Sequence, residues 1–432
     1  MNCPCLEPLE PQKHIDALYT PLGAREVYES VAYCNRCGAC MQVCPTYQLY
    51  AQEIFSPRGR NQLLLLALEG KIKLNAQDTL MLDALRTCTL CGRCNEVCAG
   101  QIPTAEHVLE MRRALHKKFL PKLLFLFLRL RTTRPDLFAR AARLSLTAKR
   151  FGVLGLLWLT QLTRVPALSF LNHLRRILPP APRSLQYAFK KAGLTPDTDG
   201  VKQIYLPSLE AEFLLPQIAC QTLAFAQQKA RTAVWQNTPC GLFEYVYGDL
   251  RLCRRTVRRL LERWEQAGKL PLITDSIDVY YFLKRTAQLF AAHPALAQRA
   301  RDFAAQVHFV TDILPEPKGT QVSTPVQLEY GALFERNSEA TQKARQFLFA
   351  FFGKNLVECC YTDADVPAFG YSFVAGQEAA RIGKKAVEKW ARTSTRSVVV
   401  LSGLAALETA YLLRKFYPQA KAVHLVEVAQ NR

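Results

Sequence analysis

Two groups of cysteines carry the chemistry that can be read first. Cys34, Cys37, Cys40 and Cys44 stand in CNRCGACMQVCP, and Cys88, Cys91, Cys94 and Cys98 in CTLCGRCNEVC, each run reading CxxCxxCxxxC. This is the spacing of a bacterial-type iron–sulfur ligand run. Three thiolates two residues apart wrap one cubane, and the fourth, three residues on, points away along a helix toward a second cluster. The expected sets are therefore crossed: Cys34, Cys37, Cys40 and Cys98 on one 4Fe-4S cluster, Cys88, Cys91, Cys94 and Cys44 on the other. Pro45 closes the first run, and Ala99 takes that place in the second.

Other cysteine chemistries fit less well. Zinc sites pair CxxC units across a long loop so that four ligands form a tetrahedron, which closely spaced runs of four do not suit. A disulfide framework serves small secreted chains, whereas 432 residues, half of them hydrophobic, can bury ordinary cores. The N-terminus lacks a basic start followed by an apolar stretch, so no signal peptide is expected and a reducing cytoplasm is. The cysteines outside the runs are Cys3, Cys5, Cys220, Cys240, Cys253, Cys359 and Cys360, and none repeats the pattern. Cys3 and Cys5 read as free surface thiols.

Helices must hold the runs. AREVYESVAY, Ala24 to Tyr33, reads as a helix leading into Cys34. The 43 residues between the runs are too many for a compact two-hairpin ferredoxin. They hold SPRGR, a leucine-rich helical stretch ending near Gly70, and DTLMLDALRTC with Asp78 near its cap. After Cys98 a helix starts at Pro103–Thr104, and its His107 reads as a plain helix-face histidine, since eight thiolates already complete two cubanes.

Charge marks the next segment. The net charge is +20, and residues 112–191 hold 18 Lys or Arg against one acid, Asp136. Apolar and basic residues alternate there from Phe119 to Leu178, in stretches too short and too charged to span a bilayer. Two roles suit them: helices on an anionic membrane surface with Phe125, Phe127 and Trp158 dipping in, or packing on the protein or a partner subunit. Nucleic acid is not expected, because neither stacking platforms nor a recognition helix is evident. A linker at Pro179 to Gly200 leads to strands alternating with helices: KQIYLP, RTAVWQ, LPLITDS, then SVVVLSG and AVHLVEVA. SGLAALE has neither a dinucleotide fingerprint nor a phosphate loop.

On CNRCGACMQVCP, SPRGR with its leucine-rich helix, and RTCTLCGRCNEVC, the chain resembles the iron–sulfur subunits of the glycolate and lactate oxidase type. These are relatives of heterodisulfide reductase and anaerobic glycerol-phosphate dehydrogenase subunits. The resemblance implies two 4Fe-4S clusters followed by two CCG domains. The expected fold class is α+β multidomain, with a helical two-cluster ferredoxin-like domain at residues 1–118 and a basic helical segment and linker at 119–198. Two α/β CCG-like units should follow, at 199–306 and 307–432.

The tail departs from that pattern. In NTPCGLFEYVYG, Pro239 stands where a cysteine would be and Cys240 remains; Leu272 to Lys284 and Val366 to Val374 carry none; Cys359-Cys360 is followed by Tyr361 rather than Gly. Both CCG units are thus expected to be degenerate, serving as a docking surface. The resemblance further implies an electron-transfer subunit without turnover of its own. It would relay electrons from an FAD-linked oxidase or dehydrogenase of a 2-hydroxy acid such as lactate or glycolate toward membrane quinone. Its place would be cytoplasmic, peripheral on the inner face of the membrane. The alternative is a heterodisulfide reductase-like subunit with chemistry in the tail, which would need Cys240, Cys359 or Cys360 to bind metal.

Overall fold

Helix signals in the first part of the chain are obeyed closely. In the computed structural model, α1 spans Gly23–Ala32, α2 Ala39–Gln42, α3 Pro45–Tyr50, α4 Pro57–Leu68, α5 Thr79–Arg86, α6 Arg93–Glu96 and α7 Thr104–Ala114. The structure describes residues 23–74, 77–115, 122–150, 184–247, 249–316, 325–330, 339–358 and 376–430. Cys3, Cys5, Trp158, Cys359, Cys360 and Val366 to Val374 lie outside the described residues, as do the side chains of Phe125 and Phe127.

Capping fixes where these helices start. Ser56 accepts from the Gly59 N–H at 2.9 Å with Pro57 at the first helical position, and Asp78 accepts from the Met81 N–H at 3.0 Å. Gly70, in the left-handed conformation (φ 71°), follows the end of α4. The core they enclose is Leu64, Leu68, Leu85, Val108, Leu109 and Met111, each 1% exposed or less. His107 is buried in it and ties three helices together, its Nε2 2.7 Å from Ser30 Oγ and its Nδ1 2.9 Å from Asn61 Oδ1. That makes it a structural histidine of α7, deeper than a plain helix face.

A helical pair follows, α8 (Lys122–Thr133) and α9 (Pro135–Arg150), packed on each other. Phe138 of α9 meets Phe213 edge-on at 5.7 Å, which fastens the pair to the α/β part of the chain. Among the described residues, no helix is long and apolar enough to cross a membrane.

Two parallel four-stranded sheets make up the remainder. The first has β1 (Gln203–Leu206), β2 (Thr232–Val234), β3 (Leu272–Thr274) and β4 (Val307–Phe309), in the order β2-β1-β3-β4. The second has β5 (Val326–Glu329), β6 (Leu356–Glu358), β7 (Ser397–Val400) and β8 (Lys421–His424), in the order β6-β5-β7-β8. Both orders describe one topology, in which chain direction along the sheet reverses beside the first strand of each unit. Buried strands such as Ile204–Leu206 and Val398–Val400 read as apolar runs because helices cover both faces of a parallel sheet.

Two expectations are corrected. Val307 does not open the second unit: Val307 pairs with Leu272 and Phe309 with Thr274, so this strand completes the first sheet. AVHLVEVA is not one strand, because β8 stops at His424 and a helix covers Leu425–Gln430. His424 turns the chain there: its Nδ1 accepts from the Val426 N–H at 3.3 Å, and its own N–H donates to Glu427 Oε2 at 2.8 Å.

The carboxyl ends of the two sheets meet. The Ile277 N–H, just after β3, donates to Leu401 O, just after β7, at 3.0 Å. Glu210 reaches across so that its Oε1 accepts from the Leu404 N–H at 3.3 Å, at the start of the helix Gly403–Phe416. A helix N-terminus favours an anion; here the chain's own carboxylate occupies that place. Burial pushes Glu210 up to about 7, and pushes Asp275, bonded by the Tyr205 hydroxyl and the Ser208 N–H, up to about 6.

Burial also lowers His107 to about 4 from an ordinary 6.5. The folded chain thus binds fewer protons at this site than the unfolded chain between those values. Stability from neutral His107 is full above pH 6.5 and is lost as pH falls toward 4, by about 3 kcal/mol at most. The raised carboxylates of Glu210 and Asp275 slope the other way, so the comparison must be between variants. Denaturant unfolding of His107→Gln against the natural chain should give a stability difference that shrinks from pH 7 to pH 4.5. A constant difference would contradict a neutral, buried His107.

Candidate metal centre

Both cysteine runs fold alike because the same residue types recur at the same offsets. In each, the residue before the second cysteine is left-handed, Arg36 and Leu90 both at φ 54°. The residue after it is a left-handed glycine, Gly38 at φ 84° and Gly92 at φ 72°. Left-handed backbone costs a side-chain-bearing residue about 1–2 kcal/mol, so this repeated strain at Arg36 and Leu90 marks a demanding local geometry. Each glycine then caps a one-turn helix, α2 or α6, that carries the third cysteine, Cys40 or Cys94. The fourth cysteines sit just past those turns, with the Cys44 N–H on Met41 O at 3.2 Å and the Cys98 N–H on Asn95 O at 3.3 Å. The short helices α2 and α6 pack against each other, which brings the two runs side by side.

The sulfurs sort into two neighbourhoods that cut across the sequence. Burial pushes the Cys40 thiol up to about 11, and the charges of Cys34, Cys44 and Cys98 add to the rise. Burial likewise pushes Cys94 well above its ordinary value, with Cys91, Cys88, Cys44 and Cys40 contributing in falling order. Cys98 thus faces the first run, while Cys44 is felt at both third cysteines. A cavity of about 350 Å³ is lined by Cys88, Cys91 and Cys94 of the second run together with Cys44 of the first. Thiols that raise one another in this way become thiolates only around concentrated positive charge, which is what bound iron supplies. The donor chemistry of the structure therefore fits a cluster.

Holding this geometry falls to residues of the SPRGR turn. Arg58 forks onto Glu53, at 2.6 and 2.8 Å, and its Nη1 donates to Arg36 O at 3.0 Å, bracing the first strained residue. Gly59 has no room for a side chain, since a Cβ there would lie 2.0 Å from Glu53 O. Arg60 is buried, 1% exposed, with Nε donating to Ala84 O at 2.7 Å and Nη2 to Thr46 Oγ1 at 3.0 Å and Thr87 Oγ1 at 3.2 Å. Its Nη1 approaches Cys44 Sγ at 3.9 Å. Arg112 of α7 donates to Leu85 O, Arg86 O and Cys88 O, fastening the carbonyl end of α5 at the entry to the second run.

The sequence singles out the eight cysteines and the SPRGR motif but not the tasks of Arg60, Thr46, Thr87 and Arg112. One signal was available: an arginine opening a helix of leucines, as Arg60 does, has its stem in the core and must find partners there.

The other cysteines behave differently. Cys240 and Cys253 are 5% and 0% exposed, and burial raises both thiols, so they stay protonated in apolar surroundings. A Cβ on Gly241 would lie 3.5 Å from Cys253 Sγ, which places these two cysteines near one another across a left-handed turn (φ 97°).

Residues 30–102 match the family model of the 4Fe-4S dicluster domain. The chain is similar to a probable glycolate oxidase iron-sulfur subunit of Bacillus subtilis (strain 168), 23% identical over 301 residues, 66% of this chain and 65% of the relative. It is also similar to the glycolate oxidase iron-sulfur subunit of Escherichia coli (strain K12), 37% identical over 70 residues, 16% of each chain. A heterodisulfide reductase subunit-like protein of Archaeoglobus profundus is 29% identical over 114 residues, 26% of this chain and 53% of the relative. The chain thus spans less than two thirds of the length of these relatives. No solved structure matches it. The resemblance read from the motifs is borne out at the level of an iron–sulfur, 4Fe-4S electron-transfer subunit of the glycolate oxidase type.

Gly59→Ala should destabilise the N-terminal helices by about 1–3 kcal/mol through the clash with Glu53 O. Limited proteolysis between Glu53 and Cys88 reads this directly; cleavage no faster than in the natural chain would contradict it.

Proposed function

We propose that the chain is an electron relay, holding two 4Fe-4S clusters on Cys34, Cys37, Cys40 and Cys98 and on Cys88, Cys91, Cys94 and Cys44. The carrying observation is that Cys44 lines one cavity with the three leading cysteines of the other run. Bound clusters supply one-electron transfer and nothing else that the site needs. The chain's residues do the holding. The left-handed positions present the thiolates, Arg58 braces the first run through Arg36 O, and Arg112 clamps the backbone at Cys88. Buried leucines and Val108 beneath α4 and α7 exclude water from the inner side.

The proposed division is a cluster module at 1–118, a basic helical segment at 119–198, and two degenerate CCG-like units at 199–306 and 307–432, with Val307–Phe309 moved into the first. The units brace the cluster module. Tyr50 of α3 donates to Glu378 at 2.9 Å, Lys385 donates to Gln48 O at 3.2 Å, and Arg285 pairs with Glu106 at 3.3 Å.

The proposed electron donor is an FAD-linked dehydrogenase of a 2-hydroxy acid such as glycolate or lactate, the class named for two relatives. The proposed acceptor is membrane quinone, reached from a cytoplasmic, peripheral position. Exposed Leu126, Leu137 and Leu144 on the α8–α9 pair, among exposed Arg129, Arg134, Arg140 and Arg143, support contact with an anionic surface. Chemistry in the tail is less favoured, because Cys240 is a buried, protonated thiol.

Two measurements test this. EPR of the dithionite-reduced Cys98→Ser variant should show the first cluster altered while the signal of the cluster on Cys88, Cys91 and Cys94 persists; damage confined to the second cluster would overturn the crossed assignment. The full chain should sediment with anionic vesicles at low salt and be released as salt screens the arginines. Failure to sediment at any salt would leave α8 and α9 as protein-packing helices.

A further inference from the structure

We infer that Arg60 sets the two clusters apart in reduction potential, holding the one on Cys44, Cys88, Cys91 and Cys94 above the other. The inference rests on the two-cluster reading and adds an order to it. Arg60 is 1% exposed, lines the cavity those four cysteines share, and aims Nη1 at Cys44 Sγ from 3.9 Å. Its bonds to Ala84 O, Thr46 Oγ1 and Thr87 Oγ1 come from two different faces of the guanidinium, so the group cannot swing away from the sulfur. A fixed, buried positive charge stands at the ligand atom.

The first set has no such arrangement at its nearest described cation. Arg58, whose charge is felt at Cys40, is forked onto Glu53 and its side chain is 32% exposed. A cation compensated by a carboxylate and screened by water exerts little net field. Cys37 is itself exposed, and water around it eases the gain of negative charge to some degree. A full charge held against a ligand sulfur in low dielectric acts more strongly than that partial hydration. Each electron gained adds one negative charge to the cluster that takes it, so Arg60 favours reduction at the inner set. Electrons entering through the exposed first set would then run downhill to the second.

The test is an EPR-monitored redox titration of the full chain, prepared anaerobically, as the natural sequence, Arg60→Gln, Arg60→Lys and Arg58→Gln. Arg60→Gln should lower the higher midpoint by about tenfold or more in the reduction equilibrium, 59 mV for one electron, and leave the lower one in place. Arg60→Lys should restore most of that shift, and Arg58→Gln should move the higher midpoint by much less. Arg60→Gln leaving both midpoints unchanged, or moving the lower one alone, would overturn the inference. If Arg60→Gln does not hold iron, Thr87→Val decides: loosening the guanidinium should still lower the higher midpoint, and an unchanged value overturns the inference. Natural protein that holds no iron and sulfide would instead fail the underlying two-cluster reading, which keeps the two failures distinct.

Discussion

Crowded sulfur is the constraint on which the rest of this structure depends. Cys40 and Cys94 are each surrounded by other thiols and pushed to high pKa, so the same atoms that suit iron are a liability without it. Everything close by answers that problem. Left-handed Arg36 and Leu90 carry strain to place thiols, paired glycines start the short helices, and arginines approach from the protein side. Strain and buried charge of this kind persist only where surrounding packing over-determines them. The leucine core under α4 and α7 supplies it.

The α/β part of the chain solves a different problem with one topology used twice. In open parallel sheets the crevice at the carboxyl ends, beside the reversal of strand order, is where ligands are usually taken. Here the two such ends face each other and are closed by the chain's own groups: Glu210 on the helix N-terminus at Leu404, Tyr205 and Ser208 on Asp275, and the Ile277–Leu401 backbone bond. Degeneracy of the cysteine motifs and closure of this junction go together. The paired sheets thereby become a brace, reaching the cluster module through Glu378 on Tyr50 and Arg285 on Glu106.

Much of this was legible in the sequence, and for physical reasons. Cysteine spacing is short-range and strict, so the repeat was visible before any fold. The helix at Asp78 and the one at Pro57 were marked by caps, which are local signals. Where long-range pairing decides, the sequence was weaker. Val307–Phe309 looks like the start of a unit, yet only its register against Leu272–Thr274 assigns it to the first sheet. LVEVA has strand-forming residues, but His424 and Glu427 cap it into a helix at the end of β8. Arg60, the most consequential side chain beside the cysteines, carries no local mark apart from sitting in a leucine-rich helix; its partners come from α5, Thr46 and the run at Cys88.

Mössbauer spectroscopy of the anaerobically prepared full chain, enriched in iron-57, probes the central claim most directly. Two cubanes require about eight irons per chain, all in delocalised 4Fe-4S environments, with matching acid-labile sulfide. Isolated ferric or ferrous sites without sulfide, or a chain loaded with zinc in place of iron, would contradict it.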